Sequence, residues 1–365
     1  MKKLFTSECV RSGHPDKICD LISDTLLDAY LESDKDSRVA IETMATKGKI
    51  IVSGEVSSNA KPDIESIVKN TLKRLGYFEE YEVLVFLTKQ SNDISIGVNQ
   101  KELGAGDQGI MFGFATNETE YYLPLTQVLV NKLTKALDNS KLTYLKPDGK
   151  CQITTEYLDD KIKRIDTIIV SVQTTDIDIS IIRHDIKDLI YQVLPNDLLD
   201  DNTKILINPT GRFVIGGPIG DTGLTGRKII IDTYSGFAKH GGGAFSGKDY
   251  TKVDRCAAYY ARYVCKNLVA ANIAKKIELQ VSYAIGVSKE ISLNINCFNT
   301  NKIPEDKILE IINKVFDFSP SNIIKELDLK NIKYQDTTNY SHFFDKNMPW
   351  EKLDKVKILN ELITL

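Results

Sequence analysis

The sequence predicts an α+β fold made of three similar α/β-sandwich domains. Three observations predict it. The chain has 365 residues, more than the ~100 to 200 that one core usually serves. One order of periodicities (long amphipathic helix, two alternating strands, second helix, short apolar strand) occurs twice in full and a third time less completely. Between the repeats lie glycine-rich stretches with no period. The long helices start near Pro15, Leu123 and Lys252, too far apart for a solenoid, so the repeat reads as ancient duplication. The limits drawn on this basis are residues 1–100, 101–215 and 216–365.

In the first unit Ile18, Leu21, Ile22, Leu26 and Ala29 share one face between Pro15 and Ser33. Pro15 suits the first helical position, where a backbone N–H is not needed. Two alternating segments, Arg38–Thr46 and Lys49–Ser57, meet across Lys47-Gly48 as a hairpin. A second helix over about 62–75 carries Ile64, Ile67, Val68, Thr71, Leu72 and Leu75 on its stripe, and 83–87 is a short buried strand. The second unit repeats this with a helix near 123–137, strands near 152–157 and 164–172, a helix near 178–193 and a strand at 205–207. The third has a helix over about 252–274, strands at 277–285 and 291–298, and a helix near 304–316. Ile229–Asp232 is predicted as a further strand. In such units helices cover one face of each sheet and leave the other for a neighbour or a partner subunit.

Composition narrows the class. Apolar residues make up 42% and charged residues 27%, with 47 Lys and Arg against 50 Asp and Glu, which is an ordinary globular balance. A net charge of −3 is too small to argue for non-specific nucleic-acid binding. No run reaches the ~20 apolar residues of a membrane span, and the N-terminus turns acidic at Glu8 before a signal-peptide core could form. A cytoplasmic protein with no membrane partner is expected. The six cysteines show no two-residue pairing and the four histidines lie far apart, so a metal here would be held by carboxylates, which points to a hard ion such as Mg2+.

The chemistry is concentrated between the repeats. The stretch 89–113 includes Gly97, Gly104, Gly106, Gly109 and Gly113, and aperiodic segments of that length are usually functional loops or linkers. The stretch 208–226 has six glycines and two prolines. The run 240–249 sets Gly242, Gly247 and Lys248 at the spacing of a phosphate loop. It departs from one at Asp249, where a hydroxyl would hold Mg2+, and in lacking a buried strand before it. What remains is glycine backbone able to converge N–H groups on an anion, with Lys248 as a point charge.

Gly13-His14-Pro15-Asp16-Lys17 opens the first helix, where free N–H groups and the helix dipole favour an anion. Asp16 alone would read as a cap; with His14 and Lys17 beside it, it reads equally as a metal ligand. Asp254, in the first turn of the third unit's helix, has the same two readings, and if the two converge they form a two-carboxylate Mg2+ site. Arg227 and Lys228 are either a charged strand edge or, with Lys248, Lys252 and His14, a cage for a triphosphate. Phe213, next to Arg212, is either core or a platform for a purine ring. Glu42 and Glu55 lie on the alternating hairpin, where an acid usually faces solvent, while Gln90 and Asp107 bracket the candidate lid.

Taken together, Gly13-His14-Pro15-Asp16-Lys17, Gly104-Ala105-Gly106-Asp107-Gln108-Gly109, the run 208–218, Gly220-Asp221 through Lys228 and the loop 240–249 resemble S-adenosylmethionine synthetase, in order and from about Leu4 to Trp350. The resemblance implies three domains with internal pseudo-threefold symmetry, and a homodimer or homotetramer whose active sites form between subunits. It implies attack of the methionine sulfur on ATP C5′, followed by cleavage of the bound triphosphate to pyrophosphate and phosphate, with Mg2+ (two per site) and K+ as cofactors. His14 then resembles the group beside the breaking C5′–O bond, and Lys150, Arg227, Lys228 and Lys248 the catalytic polyphosphate cage. Asp107, Asp148, Arg212, Phe213, Asp221 and Ala244 match further ATP-site positions. Glu55, Gln90, Asp221, Lys252 and Ile285 match methionine-site positions. Asp16 and Asp254 resemble the Mg2+ ligands and Glu42 the K+ ligand.

Three departures from that pattern are visible. Arg11-Ser12 stands where Ser-Glu is usual, which would place a base beside the phosphate entrance. Thr174 replaces an expected histidine, and 90–103 is shorter than the usual lid, which would alter closure kinetics more than chemistry. Two other readings are a phosphotransferase using the 242–248 loop, which would release ADP without methionine, and a non-catalytic nucleotide-binding regulatory homologue. The presence of His14, Asp16, Lys150, Lys248 and Asp254 together argues against the second.

Overall fold

The computed structural model describes residues 2–89, 103–159 and 161–363. The first unit comprises β1 (Lys2–Val10), α1 (Pro15–Ser33), β2 (Arg38–Thr46), β3 (Lys49–Ser57), α2 (Ile64–Arg74) and β4 (Glu82–Thr88). The second comprises β5 (Gly109–Thr116), α3 (Leu125–Asp138), β6 (Leu145–Leu158), β7 (Lys161–Thr174), α4 (Ile179–Val193) and β8 (Lys204–Ile207). The third runs through α5 (Gly217–Gly220), β9 (Gly223–Leu224), α6 (Ile229–Asp232), α7 (Val253–Ala270), β10 (Lys276–Tyr283), β11 (Ser292–Asn296) and α8 (Glu305–Val315), then α9 (Pro320–Glu326) and α10 (Val356–Ile363). The hairpin β2–β3 and the helix α1 have the limits their periodicities predict.

The three sheets do not follow the order of the chain. β1 pairs antiparallel with β6, from Lys2 opposite Leu158 to Val10 opposite Lys150, in the order β1-β6-β7-β8. β5 pairs with β10 in the order β11-β10-β5, and β9 pairs with β2 in the order β4-β3-β2-β9. Each unit therefore lends the strand before its long helix to the next unit's sheet, and the third lends to the first. Each long helix packs on its own unit's sheet and on the strand it received: α1 on β2 and β9, α3 on β6 and β1, α7 on β10 and β5. Among the described residues the parallel edge strands β4 and β8 have no counterpart in the third unit, where α9 follows α8.

Two features differ from the sequence reading. β1 and β5 carry too weak an alternation to stand out, and β5 lies inside a stretch read as aperiodic. Its Gly113 has a packing reason: a Cβ there would sit 2.1 Å from the Ala261 carbonyl oxygen, so glycine lets α7 lie directly on the strand. The predicted strand Ile229–Asp232 is a single helical turn. Its β-branched residues are overridden because the turn closes Asp232 N–H onto the Lys228 carbonyl at 2.9 Å and directs the Asp232 carboxylate to buried Lys17, 2.7 Å away.

The buried apolar residues form two clusters. The larger runs through the first and third units around α1 and α7, and the smaller fills the second. The C-terminal segment wraps α7: Trp350 stacks on Tyr259 at 3.7 Å, and Glu351 takes both nitrogens of a fork from buried Arg262 at 2.8 and 2.9 Å. α7 is buried along its length except at Asp254 in its first turn and Ala270 at its end.

Candidate active site

The first group of candidate residues gathers at the N-terminus of α1. His14 is the cap: its Nδ1 accepts the Asp16 N–H at 3.2 Å. The Asp16 carboxylate accepts the Leu224 N–H at 3.0 Å, is hydrogen-bonded by Lys228 Nζ, and has Arg227 Nε 3.6 Å away. This requires the 220–226 loop to lie against the helix start, and Gly223 allows it, since a Cβ there would meet the Pro15 carbonyl oxygen at 2.1 Å. Lys150, opposite Val10 in the β1–β6 ladder, is exposed beside the same strand-to-helix turn.

The electrostatics of this corner are asymmetric. Burial, then Lys228 and Lys150, push His14 down to about 4. The imidazole is therefore neutral at ordinary pH, and with Nδ1 accepting a hydrogen bond its proton sits on Nε2. Burial would raise Asp16, but Lys228 and the Leu224 N–H outweigh it and hold the carboxyl below its usual range.

The second group lies around the loop 240–249 and the start of α7. Lys248 Nζ is 2.7 Å from Asp254 Oδ2, and Gly243 packs so closely on Asp254 that a Cβ would sit 2.3 Å from its carboxyl carbon. Lys248 bridges to Ala40 of β2, whose partner across the hairpin is Glu55; Glu42 is exposed two residues further along β2. Lys252 pairs with Asp249 at 3.0 Å, and buried Asp249 also accepts the Val39 N–H at 2.8 Å. Asp107 is exposed just before β5. Exposed Ile285 is brought near it because Gly286 N–H and Ala105 N–H bond across to Ala105 and Val287 carbonyls at 2.8 and 2.9 Å.

The remaining candidates flank the first group. Asp148 is buried, accepts the Gly217 N–H at 2.8 Å, and is raised by that burial. Phe213 is half-buried, and its carbonyl accepts the Thr174 N–H at 2.9 Å. Arg212 is exposed and meets Asp176 at 3.2 Å, Asp221 is exposed, and Ala244 touches the position of Gly226. Gln90 and most of the candidate lid lie outside the described residues. Asp16 and Asp254 are each paired with a different lysine, Lys228 and Lys248.

Comparison with known proteins decides the family. The chain matches three consecutive profiles, S-adenosylmethionine synthetase N-terminal domain over residues 2–100, central domain over 102–213 and C-terminal domain over 215–352. It is 50% identical over 391 aligned positions to the S-adenosylmethionine synthase of Clostridium botulinum and 51% over 391 to that of Clostridium tetani, each covering all of both chains. It is 50% identical over 394 positions to that of Staphylococcus epidermidis, covering 100% of this chain and 99% of the relative. The chain belongs to the S-adenosylmethionine synthetase family.

In this synthetase Arg11 does not act where the sequence suggested. Its guanidinium turns inward, with Nε on Asp138 Oδ1 at 2.8 Å, Nη1 on the Lys146 carbonyl and Nη2 on the Leu137 carbonyl at 3.4 Å. It is 5% exposed and stabilises the C-terminus of α3, where a cation is favourable. The charge is matched inside the fold and is not a base at the phosphate entrance.

Residues that the sequence reading passed over organise the synthetase's site. Asp16, Asp20, Asp24 and Asp28 recur every fourth residue along α1. Asp20 accepts the Gly226 N–H at 2.9 Å, Asp24 the Gly247 N–H at 2.8 Å, and Asp28 the N–H groups of Tyr334 and Gln335 at 2.8 and 2.9 Å. The four-residue spacing was the available signal: acids on one helical line, interleaved with an apolar stripe, must meet something other than solvent.

Proposed function

We propose that this chain makes S-adenosyl-L-methionine by joining L-methionine to ATP at C5′, in sites shared by two copies of the chain. The observation that carries the reading is the division of the candidate residues into two groups. Each holds one of the two candidate Mg2+ carboxylates against a lysine, Asp16 on Lys228 and Asp254 on Lys248, and neither is read as a complete triphosphate site. A homodimer in which the group of one copy faces the complementary group of the other completes two equivalent sites. The outer face of the β4-β3-β2-β9 sheet supports such pairing, because Met44, Phe86 and Leu224 are exposed there. Glu42 and Glu55 stand on the same face. Pairing of dimers into a tetramer and a cytoplasmic location belong to the same proposal, and no helix among the described residues is long and apolar enough to cross a membrane. The limits 1–100, 101–215 and 216–365 are proposed as the three duplicated units.

Sulfur attacks carbon without losing a proton, so the step needs no general base. The S–C5′ bond forms as C5′–O breaks, and the electron pair leaves on the triphosphate, which one water then hydrolyses to pyrophosphate and phosphate before the products leave. His14 donates from Nε2 to that leaving oxygen. Lys150, Arg227 and Lys228 from one side and Lys248 from the other hold the polyphosphate, giving charge stabilisation that grows as the bond breaks. Asp148, Arg212, Phe213, Asp107, Asp221 and Ala244 position the nucleotide, and Glu55, Gln90, Asp221, Lys252 and Ile285 the amino acid.

Asp16 and Asp254 would hold Mg2+. The donor chemistry fits, since a single carboxylate leaves the remaining positions to water and phosphate oxygens, as this ion prefers. When bound, Mg2+ neutralises phosphate charge. Glu42 would hold K+. The test is to incubate the purified protein with ATP, L-methionine, Mg2+ and K+ and quantify products by chromatography. Equal amounts of S-adenosylmethionine, pyrophosphate and phosphate with no ADP are expected. ADP or phosphate without S-adenosylmethionine would refute the reading in favour of the phosphotransferase.

A further inference from the structure

Arg255 follows Asp254 on α7 and is fully buried. Its fork is closed around Asp24, Nη1 to Oδ1 at 2.7 Å and Nη2 to Oδ2 at 2.8 Å. Nη1 also reaches the carbonyls of Phe245 and Lys248, both at 3.1 Å. Nε donates to Tyr259 Oη at 3.0 Å and Nη2 to Thr337 Oγ1 at 3.1 Å, while the Tyr334 ring lies 4.3 Å from the guanidinium carbon. Asp24 in turn takes the Gly247 N–H. One buried ion pair thus grips both ends of the 245–248 segment from beneath.

We propose that the Asp24–Arg255 pair is a positioning device that presents Lys248 and Asp254 together to the triphosphate. This rests on the functional reading above. Two physical arguments carry it. A buried ion pair is weak evidence of stability, because well-packed apolar residues of the same volume often do as well. And a glycine loop that receives an anion must keep its carbonyl dipoles away from that anion; Arg255 draws two of those carbonyls into the core, while Asp24 neutralises its charge. Only a planar fork reaches an acid, two carbonyls, a phenol and a hydroxyl at once, so lysine is not an equivalent. Thr337 is the outer anchor of the fork, and its own hydroxyl donates to the Tyr334 carbonyl at 2.8 Å.

The full-length protein, Arg255→Lys and Thr337→Val are compared for melting temperature, kcat, KM for L-methionine, Mg2+ needed for half-activity, and cleavage of added inorganic tripolyphosphate. Arg255→Lys keeps a charge beside Asp24 but releases the loop. It is expected to lower kcat for both reactions on the order of 10²-fold, the effect of a displacement of about 1 Å, to raise the Mg2+ requirement severalfold, and to leave KM for L-methionine within about twofold. Thr337→Val removes the charge-assisted hydrogen bond from Arg255 and the one to the Tyr334 carbonyl; it is expected to lower kcat roughly fivefold, with melting lowered by no more than about 5 °C. A merely structural pair would shift melting and leave the Mg2+ requirement in place. Arg255→Lys with kcat and Mg2+ dependence like the parent's overturns the proposal. Should Arg255→Lys not fold, an unaltered Thr337→Val overturns it. A parent that makes no S-adenosylmethionine refutes the functional reading itself; an active parent with unaffected variants refutes only the positioning role.

Discussion

Asp16 and Asp254 occupy the second position of two equivalent helices, α1 and α7, yet their surroundings differ. The Asp16 side chain is 3% exposed and held by a backbone N–H, a lysine and a nearby arginine; that of Asp254 is 23% exposed and held by Lys248 against glycine backbone. The third equivalent helix, α3, carries Thr126 there, fully buried and bonded to Thr155 Oγ1 at 2.6 Å. The same helix position in the three units therefore holds a pre-formed corner, a more exposed corner and a core contact. The difference teaches that Asp16 is fixed on several sides by its own fold, whereas Asp254, held by one lysine against glycine backbone, is left more open.

The largest effects should come from removing either half. Asp254→Ala or Lys150→Met is expected to lower adenosyl transfer on the order of 10³-fold or more, with circular dichroism and melting unchanged. Near-normal turnover in either variant removes that residue from the mechanism. The comparison is sharpened by mixing. If each site pairs the Asp16 group of one copy with the Asp254 group of the other, chains carrying Asp16→Asn and chains carrying Asp254→Ala, each inactive alone, form mixed dimers with one intact site. Refolding them together should restore about a quarter of the parent activity, from statistical pairing in a symmetric dimer. No recovery would place both carboxylates of a site on one chain.

A smaller effect separates the site from its foundations. Arg11→Ala should cost about 3 kcal/mol of stability, because half-buried Asp138 keeps only the Ser12 N–H and Tyr340 Oη and the Leu137 and Lys146 carbonyls lose their donor, while kcat at a temperature well below melting stays within about threefold. A large fall in kcat with unchanged melting would return Arg11 to the phosphate entrance. That residue also marks the limit of sequence reading. The β2–β3 hairpin and α1 could be placed because their signals are local: alternation, a turn at Lys47-Gly48, and Pro15 at a helix start. The motifs around His14, Asp221–Lys228 and 240–249 were legible because glycine and charge cluster there for a local reason. Where Arg11 points depends on the end of α3, over 120 residues away in the chain. The exchanged strands β1, β5 and β9 likewise pair with segments far along the chain, and no window of sequence contains both partners. The acids beyond Asp16 on α1 show their spacing in sequence, but their partners, Gly226, Gly247 and Tyr334, become visible only in three dimensions.

The smallest expected effect tests whether the first corner is as finished as its geometry says. His14 is held down to about 4 by burial and by Lys228 and Lys150, against about 6.5 in an unfolded chain. The folded protein therefore binds this proton less readily than the unfolded one. Its contribution to stability is present above about pH 6.5, is lost as pH falls towards 4, and amounts to no more than roughly 3 kcal/mol. His14→Asn keeps a side-chain oxygen to cap the helix but has no proton to gain. Urea unfolding of the two proteins between pH 8 and pH 4 should show the parent losing stability faster than the variant below about pH 6.5, with the curves parallel above pH 7. Curves that stay parallel down to pH 4 would mean that His14 opens to solvent, so that its Nε2 proton is not held in place ahead of the nucleotide.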